Sequence, residues 1–161
     1  ILMGGANVEF IKWQMAHVRE GAESAGRTLD DIQLDLWFPM SISDDKEQAL
    51  TDIRPWVASQ AETFSFWKDL PDFLEPYRDE CAEIGAAYDK THHVSRHAVH
   101  KELVSDDLAN YLAVAGSAQE CVERIEEITS LGIHGITTAL LPGDRKDRLR
   151  TMSENIIPAL A

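Results

Sequence analysis

The stretch that decides the fold runs from residue 116 to residue 144 and reads GSAQECVERIEEITSLGIHGITTALLPGD. Ser117 and Glu120 have the spacing of a capping box, which predicts the first turn of a helix. Apolar side chains then recur at helical intervals, at Cys121, Val122, Ile125 and Ile128. Leu131-Gly132 predicts the end of this helix, and residues 133–141 form an apolar, partly β-branched run of strand length. The stretch therefore predicts a helix followed by a buried strand.

Two further strands precede this unit. The chain opens with an apolar run, Ile1–Gly4, that is typical of a strand. Residues 8–25 have helical periodicity, with Asn7 at the N-cap position and Gly26 as the residue that ends the helix. Apolar residues then alternate over 32–40, and Trp37 joins the opposite face, which favours a strand that is buried on both sides.

The segment between these two units, residues 44–115, is mostly helical in pattern. Asp44 and Glu47 have capping-box spacing and open a helix that extends to about Lys68, with a kink expected at Pro55. A second helical block covers residues 71–88, and a third segment covers 94–103. The apolar run 108–115 has the length of either a short buried helix or a strand.

The order of elements predicts an α/β fold with parallel strands, because each strand is followed by a helical crossover. No linker divides the chain, so residues 1–161 are expected to form a single domain. The helix after Ser117, the strand after it and the last helix should share one apolar cluster. Its predicted members are Val122, Ile125, Ile128, Ile133, Ile136 and Met152.

Charge and cysteine content exclude several classes of function. Fifteen Lys and Arg stand against 28 Asp and Glu, a net charge of −13, which would repel nucleic acid and anionic membrane surfaces. No apolar run reaches the length of a transmembrane helix, and the start of the chain lacks the pattern of a signal peptide. Cys81 and Cys121 lie on apolar helical stripes and are expected to be core residues of a protein of the reducing cytoplasm.

A histidine-rich segment is the part of the sequence that looks most capable of chemistry. His92, His93, His97 and His100 lie close to Arg96, and on a helix three of these imidazoles would share one face. Metal-ligand motifs such as His-Glu-x-x-His are missing, so no metal is expected, and the segment is either a polar surface or a contact with substrate.

Trp37 lies near the carboxyl end of its strand, where α/β barrels place their sites. The candidate substrate-pocket residues are therefore Trp37, Met40, His92, His93, Arg96 and His97. Two strand-to-helix turns, Gly4-Gly5 and 142–146, present backbone N–H groups that suit an anion. Neither turn carries a nucleotide-binding fingerprint.

Four motifs in this order resemble the C-terminal part of the luciferase-like monooxygenase superfamily. They are Gly116–Ile125, Leu131-Gly132-Ile133, Leu140–Arg145 and Ile157–Leu160, and Ala25-Gly26-Arg27 with Asp30-Asp31-Ile32 matches the unit that precedes them. The resemblance implies a TIM barrel that binds FMN or the deazaflavin coenzyme F-420 and transfers a hydride. It places strand six at 1–4, strand seven at 34–40 and strand eight at 133–140, with 44–115 as a long helical excursion between the last two.

The resemblance also implies what this chain would lack. Most of the cofactor-contacting residues of the family lie in the first half of the barrel, so no catalytic or cofactor-binding residue is assigned here. The chain is expected to be an inactive fragment that associates with itself or with an N-terminal half and acts on a small molecule only in the complete protein. In the family's sugar-phosphate dehydrogenases a basic residue precedes the motif at Gly116, but here Asn110-Tyr111 stands there, so a sugar phosphate is not expected.

Two other interpretations stay open at the level of sequence. One is a self-contained acidic helical module for protein interaction or metal binding, centred on residues 88–100. The other is a regulatory or cofactor-free relative of the barrel enzymes, since a fold does not determine a function.

Overall fold

Four parallel strands form one sheet with helices packed against it. The structure, a computed structural model, describes residues 1–140 and 145–160. The strands are β1 (Leu2–Gly4), β2 (Asp35–Ile42), β3 (Val114–Gly116) and β4 (Gly135–Leu140). The helices are α1 (Val8–Ser24), α2 (Lys46–Ser65), α3 (Arg78–Ala87), α4 (Asp106–Leu112), α5 (Ala118–Thr129) and α6 (Arg145–Thr151). The predicted α/β class with parallel strands is confirmed.

Strand β2 is the centre of the sheet. Its residue Leu36 pairs with Met3 of β1 on one side and with Ile136 of β4 on the other. Strand β3 pairs further along β2, where Val114 lies opposite Met40. The run 108–115, whose type the sequence leaves undecided, therefore divides into the end of α4 and the start of β3.

The ends of the helices follow local chemistry. The Asn7 side chain accepts the Phe10 N–H, and Gly26 closes α1 with a φ of +69°, as predicted. Ser117 and Glu120 form the predicted capping box at α5. At α2 the prediction is wrong by one residue, because Asp45 rather than Asp44 is the N-cap and accepts the Gln48 N–H. Helix α2 continues through Pro55.

The sheet-face core lies between β2 and the helices α1 and α5. Leu36, Phe38 and Met40 of β2 are fully buried there. The predicted apolar cluster is confirmed, with Val122, Ile125, Ile128 and Ile133 buried and with Ile136 and Met152 partly buried against them.

A second apolar region, the helical core, joins α2, α3 and α4. Ile53, Val57, Ile84, Leu108 and Leu112 are among its buried members, together with Phe10 of α1 and Ala115 of β3. Helix α2 thus packs with α3 and α4 in this core. Among the described residues no helix is long and apolar enough to cross a membrane.

Residues 94–103 do not form an α-helix. Short 3-10 turns occupy Lys90–His92 and Val99–Leu103, and Val94 between them has a φ of +47°, which is rare for a β-branched residue. The helical face that would have grouped His93, His97 and His100 is therefore not formed.

Candidate functional site

One row of residues crosses three strands at the point where β1 ends. Gly4 pairs with Trp37, and Trp37 pairs with Thr137 on its other side. The Trp37 side chain points away from the sheet-face core, because side chains alternate along a strand and Leu36 and Phe38 point into that core. Only β1 ends in this row: Trp37 is the third residue of β2 and Thr137 is the third residue of β4, so the prediction that Trp37 lies near the carboxyl end of its strand is wrong.

A pair of indoles covers this row. The Trp37 ring lies 5.3 Å from the Trp56 ring of α2, with 53° between the two planes. Trp37 stays partly exposed, and Thr137 is exposed. The arrangement offers an aromatic wall and a hydroxyl group to a ligand.

The turn after β1 is fixed by Gln14 of α1. The Gly4 N–H donates to Gln14 Oε1 at 3.2 Å, and Gln14 Nε2 donates to the Gly4 carbonyl at 2.8 Å. A Cβ on Gly4 would meet no heavy atom within 4 Å, so the backbone there borders open space. At Gly5, with a φ of +99°, a Cβ would lie 2.8 Å from the Phe10 ring. A side chain at Gly5 would therefore displace Phe10.

A buried ion pair closes the carboxyl end of β2. Arg148 of α6 donates to the carboxylate of Asp52 on α2, and the two side chains are only 12% and 16% exposed. Arg148 Nη1 also donates to Ser41 Oγ at 3.4 Å, and Ser41 is fully buried. The sequence gives no local signal for this cluster beyond the position of Asp52, one helical turn before Trp56 and so on the same side of α2.

The structure separates the candidates Trp37 and Met40. Met40 is fully buried in the sheet-face core, on the side of β2 opposite the Trp37 indole. The turn predicted at 142–146, whose N–H groups would suit an anion, lies largely outside the described residues. Of that turn, the described side chain of Lys146 is exposed.

The histidine segment is a set of local hydrogen bonds on the surface. His92 Nδ1 lies 2.7 Å from the Asp89 carboxylate, and His93 Nδ1 lies 2.7 Å from the Tyr88 hydroxyl. Arg96 Nε donates to His97 Nε2 at 3.3 Å. The bond from His92, with two from Thr91, lowers the pKa of Asp89 to about 2. These contacts all stay within residues 88–97, so they do not join the segment to Trp37.

His100 is the buried member of this segment. Its ring is 1% exposed and stacks on Tyr88 at 4.1 Å, and its Nδ1 accepts the Asp89 backbone N–H at 3.2 Å. Burial lowers the pKa of His100, so the neutral ring is favoured. Because Nδ1 accepts a hydrogen bond, Nε2 carries the proton, and Nε2 is buried without a partner.

Thiol and metal chemistry find no support in the described residues. Burial raises the pKa of Cys81 to about 11 and of Cys121 to about 12, which keeps both thiols protonated and unreactive. In residues 1–140 and 145–160 no three His, Cys, Asp or Glu side chains are grouped so as to hold a metal ion.

Comparison with known proteins assigns the family. The family model described as luciferase-like monooxygenase matches residues 1–135. The chain belongs to this family. A curated relative, 5,10-methylenetetrahydromethanopterin reductase of Methanopyrus kandleri, is 23% identical over 98% of this chain. The match covers 44% of that relative, so the chain spans less than half its length.

Two solved structures have the same fold over most of the chain. The coenzyme F-420 dependent tetrahydromethanopterin reductase of Methanopyrus kandleri superposes with a TM-score of 0.76 at 23% identity, covering 99% of this chain and 45% of that one. An F-420 dependent secondary alcohol dehydrogenase, solved with an F-420–acetone adduct, gives a TM-score of 0.59 at 20% identity, covering 88% and 36%. The resemblance drawn from the sequence motifs is thereby confirmed at the level of the family.

Proposed function

We propose that residues 1–161 supply strands six, seven and eight of a TIM barrel in a hydride-transferring oxidoreductase of this family. In this proposal β1, β2 and β4 are the three strands, and residues 44–115 are the excursion between the last two. The observation that carries the proposal is the parallel order β1–β2–β4, with β2 in the middle. Three consecutive barrel strands pair in this order.

Coenzyme F-420 is the cofactor that we propose for the complete protein, in preference to FMN. Both named relatives with solved structures are described as F-420 dependent. The row of Gly4, Trp37 and Thr137 fits a planar ring, because Gly4 borders open space beside the aromatic side chain of Trp37. When bound, a deazaflavin supplies the position that accepts or donates the hydride.

The residues of this chain would bind and shield that coenzyme. Trp37 and Trp56 provide apolar surface that excludes water from the row, and Gln14 holds the Gly4 backbone in place. The pair of Asp52 and Arg148 keeps α2 and α6 at the carboxyl end of β2. The exposed side chains of His92, His93, Arg96 and His97 are proposed to border the pocket for a small organic substrate once the barrel is complete.

We propose that the chain alone binds the coenzyme weakly and does not catalyse hydride transfer. About 250 residues are typical of a complete barrel, and this chain has 161. In the described structure β1 and β4 each pair with β2 along one edge, and their other edges have no partner strand. Unpaired strand edges favour association. We therefore propose that the chain associates with itself or with an N-terminal half.

Titration of the purified chain with F-420 and with FMN, followed by tryptophan fluorescence and equilibrium dialysis, tests the proposal. Weak F-420 binding that Trp37→Phe reduces is expected, and Trp67→Phe is the matched control because Trp67 packs in the helical core. Analytical ultracentrifugation measures association in parallel. Tight FMN binding with no F-420 binding would refute the choice of cofactor. A monomeric chain that catalyses hydride transfer would refute the proposal that the chain is only part of a barrel.

A further inference from the structure

A buried histidine holds together the turns that follow helix α3. The His100 ring is 1% exposed, stacks on Tyr88 at 4.1 Å and accepts the Asp89 backbone N–H at Nδ1 over 3.2 Å. The 3-10 turn Val99–Leu103 that carries this ring packs against α2 and α3. His100 therefore closes residues 88–103 into one loop, the histidine loop, at the edge of the helical core.

The hydrogen bonds of His100 fit only the neutral ring. Because Nδ1 accepts the Asp89 N–H, the proton is on Nε2, which has no hydrogen-bond partner among the described residues. A second proton would turn Nδ1 into a donor that faces another donor, the Asp89 N–H. The charged ring would then have two buried N–H groups without an acceptor, which is strongly unfavourable. Proton uptake by His100 and closure of the histidine loop therefore oppose each other.

The backbone of the histidine loop is strained in its closed form. Val94 has a φ of +47°, a left-handed conformation that is unfavourable for a β-branched residue. The ion pair of Lys90 with Glu62 on α2 adds little to closure, because the Lys90 side chain is 78% exposed. Opening relieves the strain at Val94 and breaks few strong contacts. The loop is therefore suited to open locally while the rest of the chain stays folded.

Charged side chains lie around His100 on each element that packs against its turn. They are Glu83 on α3, the pair of Glu62 on α2 with Lys90 in the loop at 3.4 Å, and the pair of Lys101 with Glu102 in the turn itself at 3.1 Å. Within the loop, Asp89 favours a charged His100 ring, whereas His92 and His93 disfavour it. Burial is the largest influence and lowers the pKa of His100, so the acidic neighbours do not offset it.

We propose that proton uptake by His100 releases the histidine loop from α2 and α3 while the sheet and α5 stay folded. Because the pKa of His100 is lowered in the closed loop, opening takes up one proton between that pKa and the ordinary value of about 6.5. The open population therefore rises as the pH falls. The loop carries His92, His93, Arg96 and His97, so its release also removes one border of the proposed substrate pocket. That consequence rests on the proposed function, whereas the release itself does not.

Amide hydrogen exchange of the purified chain tests the release, measured by NMR from about pH 7.5 to about pH 5 and corrected for the intrinsic exchange rate. The reporters in the loop are the Asp89 N–H, which His100 accepts, and the buried Ala98 N–H, which donates to the Ser95 carbonyl at 3.0 Å. Ile125 of α5 reports on the sheet-face core. Linkage to one proton predicts that the opening constant at Asp89 and Ala98 rises by up to about tenfold per pH unit below about pH 6.5. Ile125 is expected to show no such rise.

A matched pair of variants separates the His100 proton from the general effect of acid. His100→Asn places an amide oxygen near the position of Nδ1, so it keeps an acceptor for the Asp89 N–H but cannot take up a proton. The rise in exchange at Ala98 should therefore disappear in this variant. His97→Asn removes an exposed imidazole of the same loop and should keep the native pH dependence. No cofactor is added to any sample, so the outcome is independent of the proposed function.

Four results would overturn the proposal. They are corrected exchange at Asp89 and Ala98 that does not depend on pH, an equal rise at Ile125, a rise in His100→Asn as steep as in the native chain, and loss of the rise in His97→Asn. If His100→Asn does not fold, the His100 ring signals of the native chain decide in its place. The ring is expected to become charged together with rising exchange at Ala98, and a ring that becomes charged without that rise overturns the proposal.

Discussion

Replacing Asp52 by Asn removes the charged partner of Arg148 while keeping nearly the same shape. Arg148 would then lose this carboxylate partner and keep its hydrogen bond to Ser41 Oγ. Breaking a fully buried ion pair costs about 3–5 kcal/mol, because one charge is left uncompensated in a poorly solvated place. The residual exposure of 12% and 16% allows some hydration, so we expect a loss of about 2–3 kcal/mol in the free energy of unfolding.

A matched substitution separates this effect from the loss of any carboxylate. Glu127 pairs with Arg124 on the exposed side of α5, and its side chain is 53% exposed. Glu127→Gln is therefore expected to cost less than about 1 kcal/mol. The double variant Asp52→Leu with Arg148→Met removes both charges and should recover most of the stability, since apolar replacements of a buried pair are often neutral.

Urea unfolding followed by tryptophan fluorescence measures all three variants. The Trp37–Trp56 contact lies one turn from Asp52 on α2, so near-ultraviolet circular dichroism reports whether the indole pair is disturbed as well. If Asp52→Asn costs no more than Glu127→Gln, the ion pair does not hold α2 and α6 at the edge of the sheet.

Three further substitutions or conditions test the packing. Gly85→Ala should destabilise the chain by about 1 kcal/mol, because the new Cβ would lie 2.7 Å from Ser65 Cβ. This overpacking outweighs the gain in helix propensity. A higher melting temperature of the variant would contradict the close approach. Ile136→Ala should cost about 1–2 kcal/mol in urea unfolding, below the 2–5 kcal/mol of a fully buried site, because Ile136 is only partly buried, and no loss would exclude it from the core. Because the pKa of His100 is lowered in the folded chain, its contribution to the free energy of unfolding is complete above the unfolded pKa of about 6.5. That contribution is lost as the pH falls through the folded pKa. Asp89 opposes this shift, whereas His92 and His93 add to it, and His100→Asn should flatten the acid side of the stability profile, so an unchanged profile would refute the assignment.

Much of the framework follows from local sequence signals. Asn7, Gly26, Ser117 and Glu120 act within one turn of the chain, so their roles are readable from spacing alone. The face of β2 is readable as well, because alternation determines that Phe38 and Met40 point to one side.

The features that the sequence does not predict are those that depend on tertiary contacts. Strand β3 exists because three residues pair with the far end of β2, and nothing in the mostly apolar run 108–115 reveals that partner. In the histidine segment the Asp89 N–H donates to His100, and the His100 ring stacks on Tyr88. No periodicity in the sequence predicts these contacts. Asp52 and Arg148 are 96 residues apart, so their pairing depends on the whole topology.

Helix α1 contacts both α2 and the turn beside the candidate coenzyme row. Phe10 packs edge-on against Phe64 of α2 at 5.6 Å, while its neighbour Ile11 is fully buried in the sheet-face core. Phe10 also occupies the space that a side chain at Gly5 would need. Phe10 therefore lies between Phe64 of α2 and the turn that positions Gly4 beside Trp37. Helix α2 thus packs, through Phe10, next to the turn that borders the row.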